Sequence, residues 1–191
     1  NILSHIVEFR NGESGMHVLH IQTATDILLH TLVQKTDKYH LTAADISLIS
    51  TASALHDIGK INIPETILNK PGKLTEEFEV MKTHTTIGSE ILEKLPFQQE
   101  SDLVKTAYAI CRWHHERWDG RGYPDGLKGE QIPIAAQVVS LADVYDALTS
   151  ERCYKKAFDH DTAVKMILNG ECGQFNPLLL ECLTECGAQL H

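Results

Sequence analysis

The sequence contains no apolar run approaching the ~20 residues of a membrane-spanning helix and no signal peptide, so no membrane contact by this domain is expected. Basic side chains are in deficit, 17 Lys and Arg against 26 Asp and Glu, a net charge of -9. That sign excludes a protein that coats DNA or RNA, leaving a small phosphorylated ligand only if bound cations reverse the field locally. Cysteine is sparse: Cys111, Cys153, Cys172, Cys182 and Cys186 are odd in number and form no CxxC pair. A disulfide framework and a Cys-rich zinc site are thereby excluded, and a reducing, cytoplasmic setting is expected, with the full-length protein still free to carry a membrane anchor. Cys182 and Cys186, four apart, read as small apolar residues on a core-facing stripe. Alternating strand patterns, internal repeats and low-complexity stretches are also lacking.

What is present is helical periodicity and histidine. At 191 residues the chain is sized for one domain with one core. Residues 1–12 read as the end of an N-terminal linker or signalling helix, and residues 13–191 as the domain. Apolar spacing predicts helices over 17–34, with Val18, Ile21, Leu28 and Leu32 inward, and from Thr42 as cap to His56-Asp57, stopping near Gly59. Pro64 starts a short turn of helix, and Thr75-Glu76-Glu77 opens a helix that has His84 within or beside it. Further helices are expected over 101–116, 134–149, 161–169 and 177–189. Between Trp118 and Pro133, four glycines and two prolines predict an irregular loop, with Gly120, Gly122 and Gly126 supplying positive φ. The fold class is all-α.

Eleven histidines raise the question of grouping. A His-Asp dipeptide such as His56-Asp57 is more often an ordinary surface pair than a site, and Glu13 and His17, one helical turn apart, are equally ambiguous alone. Other donors, however, stand at comparable helix positions: His84, the doublet His114-His115, and Asp143. Each would come from a different helix toward one interior point, as metal sites in helical bundles do. Neighbours on a helix diverge by about 100°, so His114 and His115 are expected to face two different ions. His5, His30, His40, His160 and His191 lack companions and read as exposed or capping residues.

These residues resemble the HD-GYP family, a branch of the HD superfamily of all-helical metal-dependent phosphohydrolases. The HD is His56-Asp57. The extended signature is His114-His115-Glu116 followed by Asp119-Gly120-Arg121-Gly122-Tyr123-Pro124, and similarity runs from Glu13-Ser14-Gly15-Met16-His17-Val18 through the 142–150 segment and Arg152. The resemblance implies a helical bundle with a buried multinuclear metal site and a Gly-rich GYP loop. It further implies a cyclic di-GMP phosphodiesterase acting in bacterial second-messenger signalling, in which a metal-bound hydroxide opens a 3′-5′ bond to give linear pGpG, and GMP only if the pocket admits the linear dinucleotide. Carried over, the metal ligands are Glu13, His17, His56, Asp57, His84, His114, His115 and Asp143. They would hold two or three divalent ions, iron or manganese, with nickel or zinc also suited to such donors. Asp57 and Lys60 take the catalytic roles, and Lys60, Tyr123, Arg152 and Lys155 contact the substrate. Trp118 and Asp119 read as structural support.

Two departures from the family pattern are His20, where Arg is frequent, and Cys153, where Pro is frequent; both bear on substrate preference. Rival readings are a phosphodiesterase for 3′,3′-cyclic GMP-AMP and, in another class, a non-catalytic cyclic-dinucleotide or redox sensor that docks diguanylate cyclase (GGDEF) domains. An upstream sensory or receiver domain in the full-length protein and a homodimer complete the expected partners.

Overall fold

A computed structural model describes residues 16–68, 76–95, 101–151 and 156–190. Apart from an isolated Glu171–Gly173 bridge, the described residues contain no β-structure. The helices are α1 (His17–Lys35), α2 (Ala43–Ser53), a 3-10 helix (Ile58–Asn62), α3 (Glu65–Leu68), α4 (Glu76–Lys82), α5 (His84–Glu93), α6 (Asp102–Trp113), α7 (Ile134–Thr149), α8 (His160–Leu168), α9 (Pro177–Glu185) and α10 (Gly187–Leu190). None of them is long and apolar enough to cross a membrane. The N-terminal segment 1–12 lies outside the described residues.

The core explains the arrangement. Helix α1 is the central strut, turning Ile21, Leu28, Leu29 and Leu32 fully inward against α2, α7 and α9. Helix α6 buries Ala107, Ile110 and Cys111 and lies between α2, α5 and α7. Cys182 and Cys186 are buried in the same cluster, as their spacing predicts. Caps fix where helices begin. Thr42 and Asp45 form a reciprocal capping box on α2. Asp159 accepts from the Thr162 amide at 2.7 Å, so α8 starts one residue before the expected Asp161.

Helix ends depart from expectation where they matter most. Helix α2 stops at Ser53, three residues before His56, and the chain tightens through i→i+3 bonds such as His56 N–H to Ser53 O (3.2 Å) into the 3-10 helix. Helix α6 likewise ends at Trp113, with His114 as its cap and His115 already outside. The helix expected from Thr75 onward is divided at Thr83, so that His84 opens α5. The C-terminal helix is similarly divided at Cys186.

The early end of α2 lets the 3-10 helix press directly on α5. A Cβ on Gly59 would stand 1.8 Å from the His84 carbonyl oxygen and 2.6 Å from the Gly88 nitrogen. On Gly88 the nearest atom would be the Gly59 nitrogen at 3.2 Å. Gly59→Ala must therefore push His56-Asp57 and His84 apart, whereas Gly88→Ala needs only a small adjustment. Denaturant unfolding should show Gly59→Ala losing at least about 2 kcal/mol and Gly88→Ala clearly less; equal losses would mean the backbones can separate freely.

Candidate metal centre

Five imidazoles and two carboxylates meet inside the bundle. His17 comes from the start of α1, His56 and Asp57 from the turn after α2, His84 from the first residue of α5, His114 and His115 from the end of α6, and Asp143 from the middle of α7. His17, His56, His84 and His114 are all buried.

Their orientation carries the chemistry. The Nδ1 of His56 bonds to Ser53 O at 2.8 Å, that of His84 to Met81 O at 2.7 Å, and that of His114 to Ile110 O at 2.8 Å. A carbonyl can only accept, so each Nδ1 carries the proton and each Nε2 keeps a lone pair pointed inward. His17 is held in the same sense by a carboxylate, with Nδ1 2.5 Å from Asp146 Oδ2. Asp146 also accepts from His20 Nδ1 (3.0 Å) and the Ser150 hydroxyl (2.9 Å). Asp146 lies three residues after Asp143, so one face of α7 supplies a carboxylate to the centre and another to the back of His17.

Asp57 sits between the inward nitrogens. Its Oδ1 is 3.3 Å from His84 Nε2 and 3.4 Å from His114 Nε2; its Oδ2 is 3.1 Å from His56 Nε2 and 3.1 Å from Lys60 Nζ. Asp143 Oδ1 lies 3.6 Å from His56 Nε2 and 3.7 Å from His17 Nε2. Yet the Nε2 atoms of His56, His84 and His114, and Asp57 Oδ1, are buried without a hydrogen-bond partner. Buried polar atoms are nearly always satisfied, so four converging unsatisfied donor atoms fit a cation. Two sets present ligand atoms within 4.8 Å of one another: His17, His56, Asp57 and Asp143, and Asp57, His84, His114 and His115, with Asp57 common to both.

Electrostatics set which of these groups carries a proton. Burial holds His114 below the ordinary imidazole value, and burial with the neighbouring His114 and His84 holds His115 well below it, favouring the neutral form a ligand requires. Burial works against charge on Asp57 and Asp143, but His56 outweighs it, helped by Lys60 for Asp57 and His17 for Asp143, and both stay ionised. His56 goes the other way. Burial disfavours its proton, but Asp57 and Asp143 raise it well above the usual value, so protons and cations compete there.

The placement of His114 and His115 corrects one expectation. Because α6 ends at Trp113, the two rings are not splayed by helical geometry; their centroids lie 4.2 Å apart and both join the Asp57–His84 set. Glu13, Arg152 and Lys155 lie outside the described residues. Lys60 stands at the edge of the centre, and Tyr123 stacks on His115 with ring centroids 4.9 Å apart and planes 11° from parallel. Burial pushes the Tyr123 phenol up, so it remains a protonated donor.

The loop after His115 is built around Glu116, whose role the sequence left unassigned. This buried carboxylate accepts from three successive amides, Asp125 at 2.7 Å, Gly126 at 3.1 Å and Leu127 at 2.9 Å. Of the three loop glycines expected at positive φ, Gly120 (82°) and Gly126 (69°) adopt it. Gly122 serves close approach instead: a Cβ there would lie 2.3 Å from His115 O and 2.5 Å from Arg117 N. The Tyr123-Pro124 bond is cis. Asp125 receives Arg112 through two bonds (2.8 and 2.9 Å) and Trp113 Nε1 at 2.7 Å, fastening the loop to the end of α6. Trp118 and Asp119 are supporting residues, as expected: Trp118 N–H donates to Gln174 O, and Asp119 accepts from the Arg121 amide. His160 is more than an exposed residue, with Nδ1 2.7 Å from the Tyr145 hydroxyl.

An HD-domain family model matches residues 15–177, spanning the centre and the loop. The chain belongs to the HD-domain family. It is similar to a Vibrio cholerae cyclic di-GMP phosphodiesterase, 44% identical over 183 residues that cover 94% of this chain and 37% of that protein. A Thermotoga maritima cyclic di-GMP phosphodiesterase is 38% identical, covering 94% of this chain and 46% of that protein. A 3′3′-cGAMP-specific phosphodiesterase of Vibrio cholerae is 37% identical, covering 96% and 33%. The HD domain thus spans less than half the length of these relatives. Among solved structures, an HDG"Y"P protein from Bdellovibrio bacteriovorus shares the fold, with a TM-score of 0.65 at 21% identity, over 88% of this chain and 51% of that one.

Two outcomes test the loop. Glu116→Gln should cost about 1–3 kcal/mol and raise hydrogen exchange selectively at the Asp125, Gly126 and Leu127 amides; unchanged exchange there would remove Glu116 as the anchor. The Arg112 bond holds the Asp125 carboxyl below its ordinary value of 3.8, so its stabilisation is full above that value and is lost as pH falls through the folded-state pKa. Asp125→Asn should therefore lose more stability near neutrality than at about pH 3, read from urea midpoints.

Proposed function

We propose that this HD domain hydrolyses a 3′-5′ phosphodiester bond of cyclic di-GMP, giving linear pGpG, with GMP as a further product where the pocket admits the linear dinucleotide. The observation that carries the reading is the set of inward Nε2 lone pairs around the shared Asp57 carboxylate, each imposed by an acceptor behind its ring. Support also comes from relatives of 37–44% identity that are phosphodiesterases of cyclic dinucleotides.

The ligands assigned in this reading are His17, His56, Asp57 and Asp143 for one ion, and Asp57, His84, His114 and His115 for a second. A third ion would rest on Glu13. Iron or manganese is the assigned metal, with nickel or zinc compatible with the same nitrogen and oxygen donors. Such ions neutralise phosphoryl oxygens and lower the pKa of a water to near neutrality. The chain does the rest by positioning. Asp57 keeps the two ligand sets in register, and Lys60 offers its ammonium to a nonbridging phosphoryl oxygen, a charge-assisted contact on the face open to substrate. Tyr123 is held against His115 with its hydroxyl proton available to a phosphate or base edge, while Arg152 and Lys155 are assigned to the second phosphate.

The 3′3′-cGAMP-specific relative keeps a second substrate in view, since guanine and adenine differ only at edge groups. In the cell the domain is assigned to a longer bacterial signalling protein working in the cytoplasm. Its proposed partners are an upstream sensory or receiver domain, diguanylate cyclase domains and a second copy of itself.

The test is anaerobic reconstitution with iron or manganese, metal analysis, and chromatography of cyclic di-GMP and cyclic GMP-AMP reactions. Hydrolysis of cyclic di-GMP is expected; a large preference for the mixed nucleotide would reassign the substrate, and no turnover of either would favour the sensor. Asp57→Ala should lose both metal and turnover, and retained turnover would refute the assignment. Lys60→Ala should keep its metal while kcat falls by about 10²-fold.

A further inference from the structure

Helix α4 adds an aromatic and a cationic side chain, Phe78 and Lys82, to the Tyr123 ring that stacks on His115. Helix α4 places Phe78 with its ring 6.3 Å from that of Tyr123 at 85°, and Tyr123 in turn stacks on His115. Lys82, one turn further along α4, sets its Nζ 5.0 Å from the Phe78 centroid and 5.4 Å from that of Tyr123. Phe78 is 42% exposed. A metal ligand, a tyrosine, a phenylalanine and a lysine thus form a continuous line from the interior to solvent.

From this line we infer that Phe78, with Lys82 beside it, is the stacking platform for one purine base of the substrate. The inference rests on the cyclic dinucleotide reading above and adds a residue to it. The macrocycle carries a purine on each side of the phosphate to be cut, and burying a phosphate over the ions leaves those bases at the rim. A purine has a π-face whichever base it is, so an exposed aromatic ring there adds affinity, and a neighbouring ammonium adds cation–π attraction and favours the anionic ligand. Phe158, the other exposed phenylalanine among the described residues, lies instead beside Tyr145 and His160 in a cleft of about 450 Å³. Because a stacked π-face does not read edge groups, Phe78 sets affinity for cyclic dinucleotides as a class and leaves guanine and adenine undistinguished.

The experiment compares wild type, Phe78→Leu and Phe78→Trp, each reconstituted anaerobically and assayed with cyclic di-GMP and cyclic GMP-AMP. Leucine keeps the apolar bulk but removes the ring. Phe78→Leu should raise KM about tenfold for both nucleotides with kcat nearly unchanged, the pattern of a contact equal in ground and transition states. Metal content and melting temperature should match wild type. Phe78→Trp should restore KM, and its added indole fluorescence should be quenched by the cyclic dinucleotide. A wild-type KM in the leucine variant, failure of tryptophan to restore it, or loss of metal or melting temperature would each overturn the platform while leaving the enzyme assignment intact. A wild-type protein that neither binds nor cleaves either nucleotide would overturn both.

Discussion

An ionised carboxylate surrounded by imidazole nitrogens is the constraint on which the centre depends. Asp57 presents one oxygen to His84 and His114 and the other to His56 and Lys60, so two halves of the bundle meet at a single side chain. Burying that charge is costly unless opposite charge surrounds it. The protein answers with the Lys60 ammonium and with the raised proton affinity of His56, while the other inward lone pairs fit a cation. Hydrophobic packing of α1, α2, α6 and α7 supplies the rigidity that keeps these polar atoms close, because a helix displaced by an ångström would carry its ligand with it.

The same economy governs the loop after His115. Glu116 follows the paired histidines directly and gathers the amides of Asp125, Gly126 and Leu127, closing the chain from Glu116 to Leu127 into a ring. Gly122 is required at the tightest point of that ring, against the backbone of His115 to Arg117. The consequence reaches the centre: Tyr123 is pressed flat against His115, and the outer edge of Tyr123 meets Phe78. A carboxylate bonded to the amides of its own loop thus helps set the ring that stacks on His115.

How much of this was legible depended on whether the cause was local. Helix α7 matches its expected bounds at both ends, because its apolar periodicity and flanking Pro133 and Ser150 are sequence-local signals. His56, Asp57, His84, His114, His115 and Asp143 were recognisable as one set from their positions and the family pattern, and His17 joins them. The helix ends beside the ligands were not legible. Helix α2 stops at Ser53 because the following turn must bring Gly59 onto the backbone of α5, a contact between segments far apart in sequence. For the same reason the angular argument about His114 and His115 failed: it assumed a helix that had already ended. Glu116 was hidden because its partners are backbone amides nine to eleven residues on, and amides leave no mark on a sequence.

Asp146 is the instructive middle case. Its spacing from Asp143 was readable, three residues on a helix and hence nearly one face, and helical geometry alone shows that both could approach α1. What spacing alone could not decide is which of the two would face the ligand cluster. The structure resolves it through His17, whose ring lies between them, with Nε2 toward Asp143 and Nδ1 on Asp146. A carboxylate behind a histidine fixes its tautomer and raises its basicity more than a carbonyl does. His17 thus differs from His56, His84 and His114, whose rings rest on backbone carbonyls three or four residues earlier in the chain. The histidine from α1 is thus oriented from across the bundle, by a carboxylate of α7.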